Sequence, residues 1–173
     1  MGQDENSTDA WHKWIVENQA KWLLYARQQS RSEADAQDIL QEAILSLWQD
    51  SQENSLTELP SAGKVFTAIR FRALNRGRGQ DRRNRREKEY MYLEYKSAFQ
   101  EQLSPTGDEL QLLTQAIRTL PEAQAEVLTL KIWGELTFRE ISDICQCSIN
   151  TITARYRQAL EKLQKTLKGN FCL

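Results

Sequence analysis

Only three prolines and seven glycines interrupt a chain of 173 residues, too few for a β protein built on many tight turns. Strand-like alternation is scarce, and apolar residues recur at helical spacing almost from end to end. The expected fold class is all-α, as two small helical domains joined by a linker. No apolar run approaches the roughly 20 residues that a membrane-spanning helix needs, so membrane insertion is not expected. The opening MGQDENSTDA is polar and acidic, unlike a secretory signal, which points to a cytoplasmic protein. His12 is the one histidine. There is no carboxylate cluster in a metal pattern and no phosphate-cradling glycine loop, so neither catalysis, a metal nor a cofactor is expected. Cys145, Cys147 and Cys172 include one C-x-C pair without a second pair, which does not make a zinc site. Cys145 is expected to pack as a small apolar residue and Cys147 to sit in a turn.

What is present is ordinary in amount and uneven in placement. Apolar residues make up 40% of the chain and charged residues 27%, as in a soluble globular protein. The formal net charge of −1 hides a segregation. Residues 1–63 hold four basic residues against eleven acidic ones. Residues 64–88 reverse this, with ten basic residues against Asp81 and Glu87. From Ser148 onward five basic residues face only Glu161. Positive charge concentrated in two places suggests two contacts with a polyanion, although a charge run can also be only a solvated face.

The stretch from Leu120 to Leu167 reads LPEAQAEVLTLKIWGELTFREISDICQCSINTITARYRQALEKLQKTL. A helix starting near Pro121 is expected to break at Gly134, where a glycine tolerates the backbone angles of a helix end. Thr137, with Glu140 three residues on, forms a T-x-x-E capping box for the next helix. Phe138, Ile141 and Ile144 share its buried side. The turn is Cys145-Gln146-Cys147-Ser148, and Ser148 or Asn150 caps the helix that follows. On that helix Ile152, Tyr156, Ala159, Leu160 and Leu163 form a buried stripe, leaving Thr151, Thr153, Arg155, Gln158 and Lys162 outside. This is the layout of a helix-turn-helix, whose second helix lies in a DNA major groove. On the residues alone, a helical hairpin that only packs stays open beside it.

The N-terminal half also parses as helices. Trp11, Trp14, Ile15, Trp22, Leu23 and Ala26 fall on helical spacing. A boundary near Arg31-Ser32-Glu33-Ala34-Asp35 precedes a second helix. Its core stripe is Ile39, Leu40, Ala43, Ile44, Leu47 and Trp48, and Asp38, Gln41, Glu42 and Leu45 lie off that stripe. A patch of acid, amide and leucine can dock a basic helix of another protein, and is otherwise a solvated face. Residues 50–63 read as a loop. Lys64 to about Asn75 is helical again, with Val65, Phe66, Ile69, Ala73 and Leu74 apolar, and the run RGRGQDRRNRR follows.

This order of parts resembles the extracytoplasmic-function sigma factors, the two-domain sigma subunits of bacterial RNA polymerase. The resemblance rests on DILQEAILSLW, a loop, a helix ending in an arginine run, a linker, and then LPEAQAEVLTLKIWGELTFREI followed by Ser148, Thr151, Arg155, Ala159, Leu160 and Leu163. It covers about Ala20 to Leu167. It implies a first domain over residues 10–93, a linker over 94–110 and a helix-turn-helix domain over 111–170. It implies docking on core RNA polymerase through Asp38, Gln41, Glu42 and Leu45. It implies that the stretch from Lys64 to Arg86 engages and helps open the minus-ten element of promoter DNA, with Arg70, Phe71, Arg72, Asn75, Arg76, Arg82 and Arg83 as the contacts. It implies that Asn150, Thr151, Thr153, Arg155 and Arg157 read the minus-thirty-five element, and it brings an anti-sigma factor as a further partner.

The chain departs from the family in two places. Family members carry an asparagine and an aspartate at set positions where this chain has Ile69-Arg70-Phe71-Arg72-Ala73-Leu74-Asn75-Arg76. Many carry T-V-K-S-R where this chain has Thr151-Ile152-Thr153-Ala154-Arg155, one positive charge fewer. Two other readings remain beside the sigma factor. One is a helix-turn-helix regulator that binds an operator without joining polymerase. The weaker one is an enzyme acting on nucleic acid.

Overall fold

The local signals at helix ends decide where each element starts. Ser32 accepts from the Asp35 amide at 3.1 Å and so caps one helix. Ser61 does the same for the Lys64 amide at 3.4 Å in front of another. Small hydroxyls take up donors that the first helical turn leaves without partners. The computed structural model describes residues 2–54, 58–77, 116–117 and 119–171, and every regular element among them is a helix. The fold is all-α.

The chain divides into two compact units, residues 1–88 and 89–173. In the first, α1 (Gly2–Gln29), α2 (Glu33–Glu53) and α3 (Ala62–Gly77) pack each against the other two. The core is aromatic at its centre: Trp22, Tyr25 and Phe66 are buried with Ile39, Val65 and Ile69. Tyr25 and Phe66 meet edge to face at 5.3 Å, and Trp14 meets Trp22 at 4.6 Å, geometries that ring quadrupoles favour. Tyr25 and Leu24 are core residues outside the helical stripe expected on α1. Trp48, expected in the core of α2, is 41% exposed instead, lining an open groove beside α1 rather than packing into the core.

The second unit holds α4 (Glu122–Ile132), α5 (Phe138–Cys145) and α6 (Ile149–Phe171). Leu128, Ala159 and Leu163 pack with Ala116, Ile117 and Leu120. Leu160, expected in this stripe, is exposed. The capping box on α5 is complete: Thr137 accepts from the Glu140 amide, and Glu140 accepts from the Thr137 amide at 2.8 Å. The left-handed residue that closes α4 is Glu135, at φ 55°, and not Gly134, which is buried and keeps a negative φ. Between α5 and α6, Gln146 takes the left-handed conformation at φ 52°, and Ser142 donates to the Cys147 carbonyl at 2.6 Å. Ser148, not Asn150, caps α6, accepting from the Thr151 amide at 3.1 Å.

Candidate docking and nucleic-acid surfaces

In the first unit, helical periodicity separates two faces of α3. Val65, Ile69 and Ala73 point into the core, and Arg72 and Arg76 continue that side outward to α2. The opposite side carries Lys64, Thr67, Phe71, Leu74 and Asn75, all exposed. Phe71 is 62% exposed, an uncommon place for a ring that a core could bury. The residues assigned to one DNA contact from sequence thus divide: Phe71 and Asn75 face solvent, while Arg72 and Arg76 reach across to α2. Arg70 lies between the two, half-buried. Arg82 and Arg83 lie outside the described residues.

The partners of those arginines are the carboxylates of α2. Arg76 Nη2 donates to Glu42 Oε1 at 2.6 Å, and its Nη1 lies 3.3 Å from both Asp35 Oδ1 and Asp38 Oδ2. Arg72 Nη1 stands 3.6 Å from Glu42 Oε2. The bond to Glu42 is the main cause holding the Arg76 guanidinium above its ordinary pKa. Asp35 belongs to this cluster and was not among the sequence-derived docking residues. The spacing Asp35, Asp38, Glu42 runs i, i+3, i+7, and such spacing alone marks one helix face.

The other two α2 residues, Gln41 and Leu45, border a different feature. They line an apolar groove of about 560 Å³ between α1 and α2, with Trp11, Ile15, Leu40 and Trp48. Leu45 is 52% exposed. The α2 surface is therefore a strip, acidic along the α3 edge and largely apolar along the α1 edge, where Gln41 and Leu45 line the groove. Such a strip suits an amphipathic helix with a cationic margin.

In the second unit, the start of α6 presents the other candidate surface. Asn150, Ala154 and Arg157 fall on its outer side, all exposed. Thr151 and Thr153 lie beside them with their hydroxyls committed. Thr151 Oγ1 is 2.8 Å from Ser148 Oγ, and Thr153 Oγ1 donates to the Ile149 and Asn150 carbonyls at 2.9 and 3.0 Å. Arg155 is half-buried, its Nη1 3.5 Å from Cys147 Sγ. Gln158 accepts from Gln124 of α4 at 3.0 Å. The sequence reading passed over Ala154, whose methyl group sits between Asn150 and Arg157 at the middle of this face. Among the described residues no group of histidines, cysteines and carboxylates has the arrangement of a metal site. No helix described is long and apolar enough to cross a membrane.

Residues 110–163 match the family model described as Sigma-70, region 4. The chain is 27% identical over 134 residues to the ECF RNA polymerase sigma factor SigK of Mycobacterium bovis (strain BCG / Pasteur), covering 76% of this chain and 72% of that protein. It is 24% identical over 137 residues to the SigK of Mycobacterium ulcerans, covering 78% and 73%. Its fold is similar to that of the sigma factor RpoE of Bartonella quintana, crystallised with the anti-sigma factor NepR. The TM-score is 0.59 at 19% identity, over 92% of this chain and 97% of that one.

Proposed function

We propose that this chain is an extracytoplasmic-function sigma factor of the sigma-70 family, a reading its likeness to SigK and to the region 4 family model supports, and that it joins core RNA polymerase and carries it to a class of promoters through the two surfaces just described. The docking element is the α2 strip. Asp38 and Glu42 meet cations of a polymerase helix, Gln41 hydrogen-bonds, and Leu45 enters its apolar side. The observation that carries this is the strip itself, with carboxylates and an exposed leucine contiguous on one helix.

On the promoter, the exposed side of α3 addresses the minus-ten element. A melted base stacks on Phe71 with Asn75 beside it, since an exposed ring offers a face to any unpaired base. Arginines from Arg70 through Arg83 neutralise phosphates. The first two turns of α6 enter the major groove of the minus-thirty-five element. There Asn150 offers an amide to a base edge, Arg157 a cation, and Thr151, Thr153 and Arg155 flank them. The domains we assign are 10–93 and 111–170, with 94–110 as the tether.

The work done is binding and positioning, not catalysis, and it takes place in the cytoplasm, where polymerase works. An anti-sigma factor is the expected restraint, in keeping with the likeness to a chain crystallised with one. A regulator without polymerase is disfavoured by the extent of the match. The 134 residues over which the chain aligns with SigK exceed the second unit alone, residues 89–173. The test is run-off transcription with core polymerase, with and without this chain, followed by mapping of start sites. Initiation at defined sites only when the chain is present is expected. No gain over core enzyme on any native template would overturn the reading.

A further inference from the structure

The α2 docking face and two of the cations assigned to DNA are bound to each other in the free chain. Three carboxylates, Asp35, Asp38 and Glu42, share two guanidinium groups, those of Arg72 and Arg76. Arg76 spends Nη1 on both aspartates and Nη2 on Glu42. A guanidinium recognises a phosphate through the same paired N–H groups. Three of the five Arg76 N–H groups and its whole charge are engaged by these carboxylates, so a phosphate must compete with them for the guanidinium. A polymerase cation approaching Asp38 and Glu42 likewise competes with Arg72 and Arg76 for the same oxygens.

The contacts are made for exchange. The Arg76 side chain is 35% exposed and the Asp38 side chain 58% exposed, so each pair is individually weak and screened by water. Open space of about 300 Å³ lies beside Arg76, lined by Arg31, Asp35 and Ala73, so the guanidinium can swing away without a helix moving. The cluster joins two helices of one unit, and no rearrangement between units is required.

We infer that Arg72 and Arg76 serve two partners in turn: they are counter-ions of the docking face in the free chain, and cations of the polymerase release them to the promoter backbone. This rests on the docking and promoter contacts proposed above. Its consequence is an order of events. The free chain masks its own DNA contacts, polymerase unmasks them, and by linkage DNA strengthens the hold on polymerase by the same factor.

The test uses the full chain with no polymerase present. Binding to a fluorescent forked duplex is followed by anisotropy at low salt. The variant Asp38→Asn with Glu42→Gln releases the arginines, and Asp35 is left intact because it also accepts from Ser32 at the α2 cap. The control Asp50→Asn with Glu53→Gln removes the same charge from exposed positions at the far end of α2. The first pair is expected to tighten binding roughly fivefold more than the control, because it frees phosphate ligands as well as removing repulsion. The excess should vanish when Arg72→Gln and Arg76→Gln are added. Equal gains from both pairs, or an excess that survives loss of the arginines, overturn the inference. A second readout is independent of the acidic variants. The Arg72→Gln and Arg76→Gln chain should bind core polymerase more tightly while initiating less. Weaker polymerase binding by that chain also overturns the inference. If the wild-type chain fails to bind core enzyme or to initiate, the proposed function fails instead, so the two failures are distinct.

Discussion

Arg27 holds Glu33 with both arms of its fork, Nε to Oε2 and Nη2 to Oε1, each at 2.7 Å. The pair bridges the end of α1 and the start of α2, and the Arg27 side chain is only 10% exposed. Both charges are satisfied, so the corner between the helices is fixed by geometry as well as by attraction. Arg27→Ala should therefore cost about 1–3 kcal/mol of stability in the first unit at neutral pH. Urea unfolding followed by tryptophan fluorescence reports it, since four of the five tryptophans lie in that unit.

The same pair sets a dependence on pH. The Arg27 hydrogen bond holds the Glu33 carboxyl below its ordinary value of 4.5. A carboxyl depressed in the folded state contributes stability above its unfolded pKa and loses it as pH falls through the folded one. The difference between wild type and Arg27→Ala should be constant from neutral pH down to about 5 and then shrink on further acidification. A difference that grows in acid would contradict the assignment.

Glu42→Arg places a cation beside Arg72 and Arg76 on the docking face. It should weaken binding to core polymerase by at least about tenfold, or 1.4 kcal/mol, while circular dichroism and melting temperature change little. The ion pairs it breaks, with Arg72 and Arg76, are partly exposed and screened by water, so the loss of stability should be small. Normal transcription by this variant would sink the docking assignment.

Phe71→Ala removes an exposed ring, so the thermal melt should be unchanged. Promoter opening should suffer, by about 1–3 kcal/mol for one lost base-stacking contact. Permanganate reactivity of thymines in the opened region measures it directly. Unaltered reactivity would remove Phe71 from the minus-ten contacts.

Asn150→Ala and Arg157→Ala separate base reading from backbone holding. The first should cost about 1–3 kcal/mol at one base pair and relax preference there. If Arg157 meets phosphate, its loss should weaken all sequences alike and lower the salt slope by about one. Binding of the holoenzyme to a set of single-base promoter variants at several salt concentrations distinguishes the two.

The parts of this molecule that are local in sequence were legible in it. Thr137 with Glu140, Ser148 at the head of α6, and Ile141 with Ile144 require only neighbours three or four residues away. The ion cluster was not legible, because Arg76 and its carboxylates are 34 to 41 residues apart. Each charge run read as its own solvated or ligand-seeking face, and nothing in either run says that they meet. Trp48 and Leu160 fall on the right side of their helices yet remain exposed. Periodicity gives the direction of a core, while the width of the covered arc depends on where the neighbouring helices end. The helix does end just before Gly134, as expected, but the left-handed angle that follows is carried by Glu135.

Gln158 is tied to Gln124, and Leu160, though exposed, offers no polar atom. The stretch of α6 left for the proposed base contacts is thus Asn150 to Arg157, about 12 Å of helix at 1.5 Å per residue. At 3.4 Å per base step that spans about four letters of DNA. A four-letter word recurs by chance about once in 256 positions, far too often to name a gene against a genome of competing sites. If the proposed promoter contacts hold, the address must be compound, two short words read by two separate surfaces.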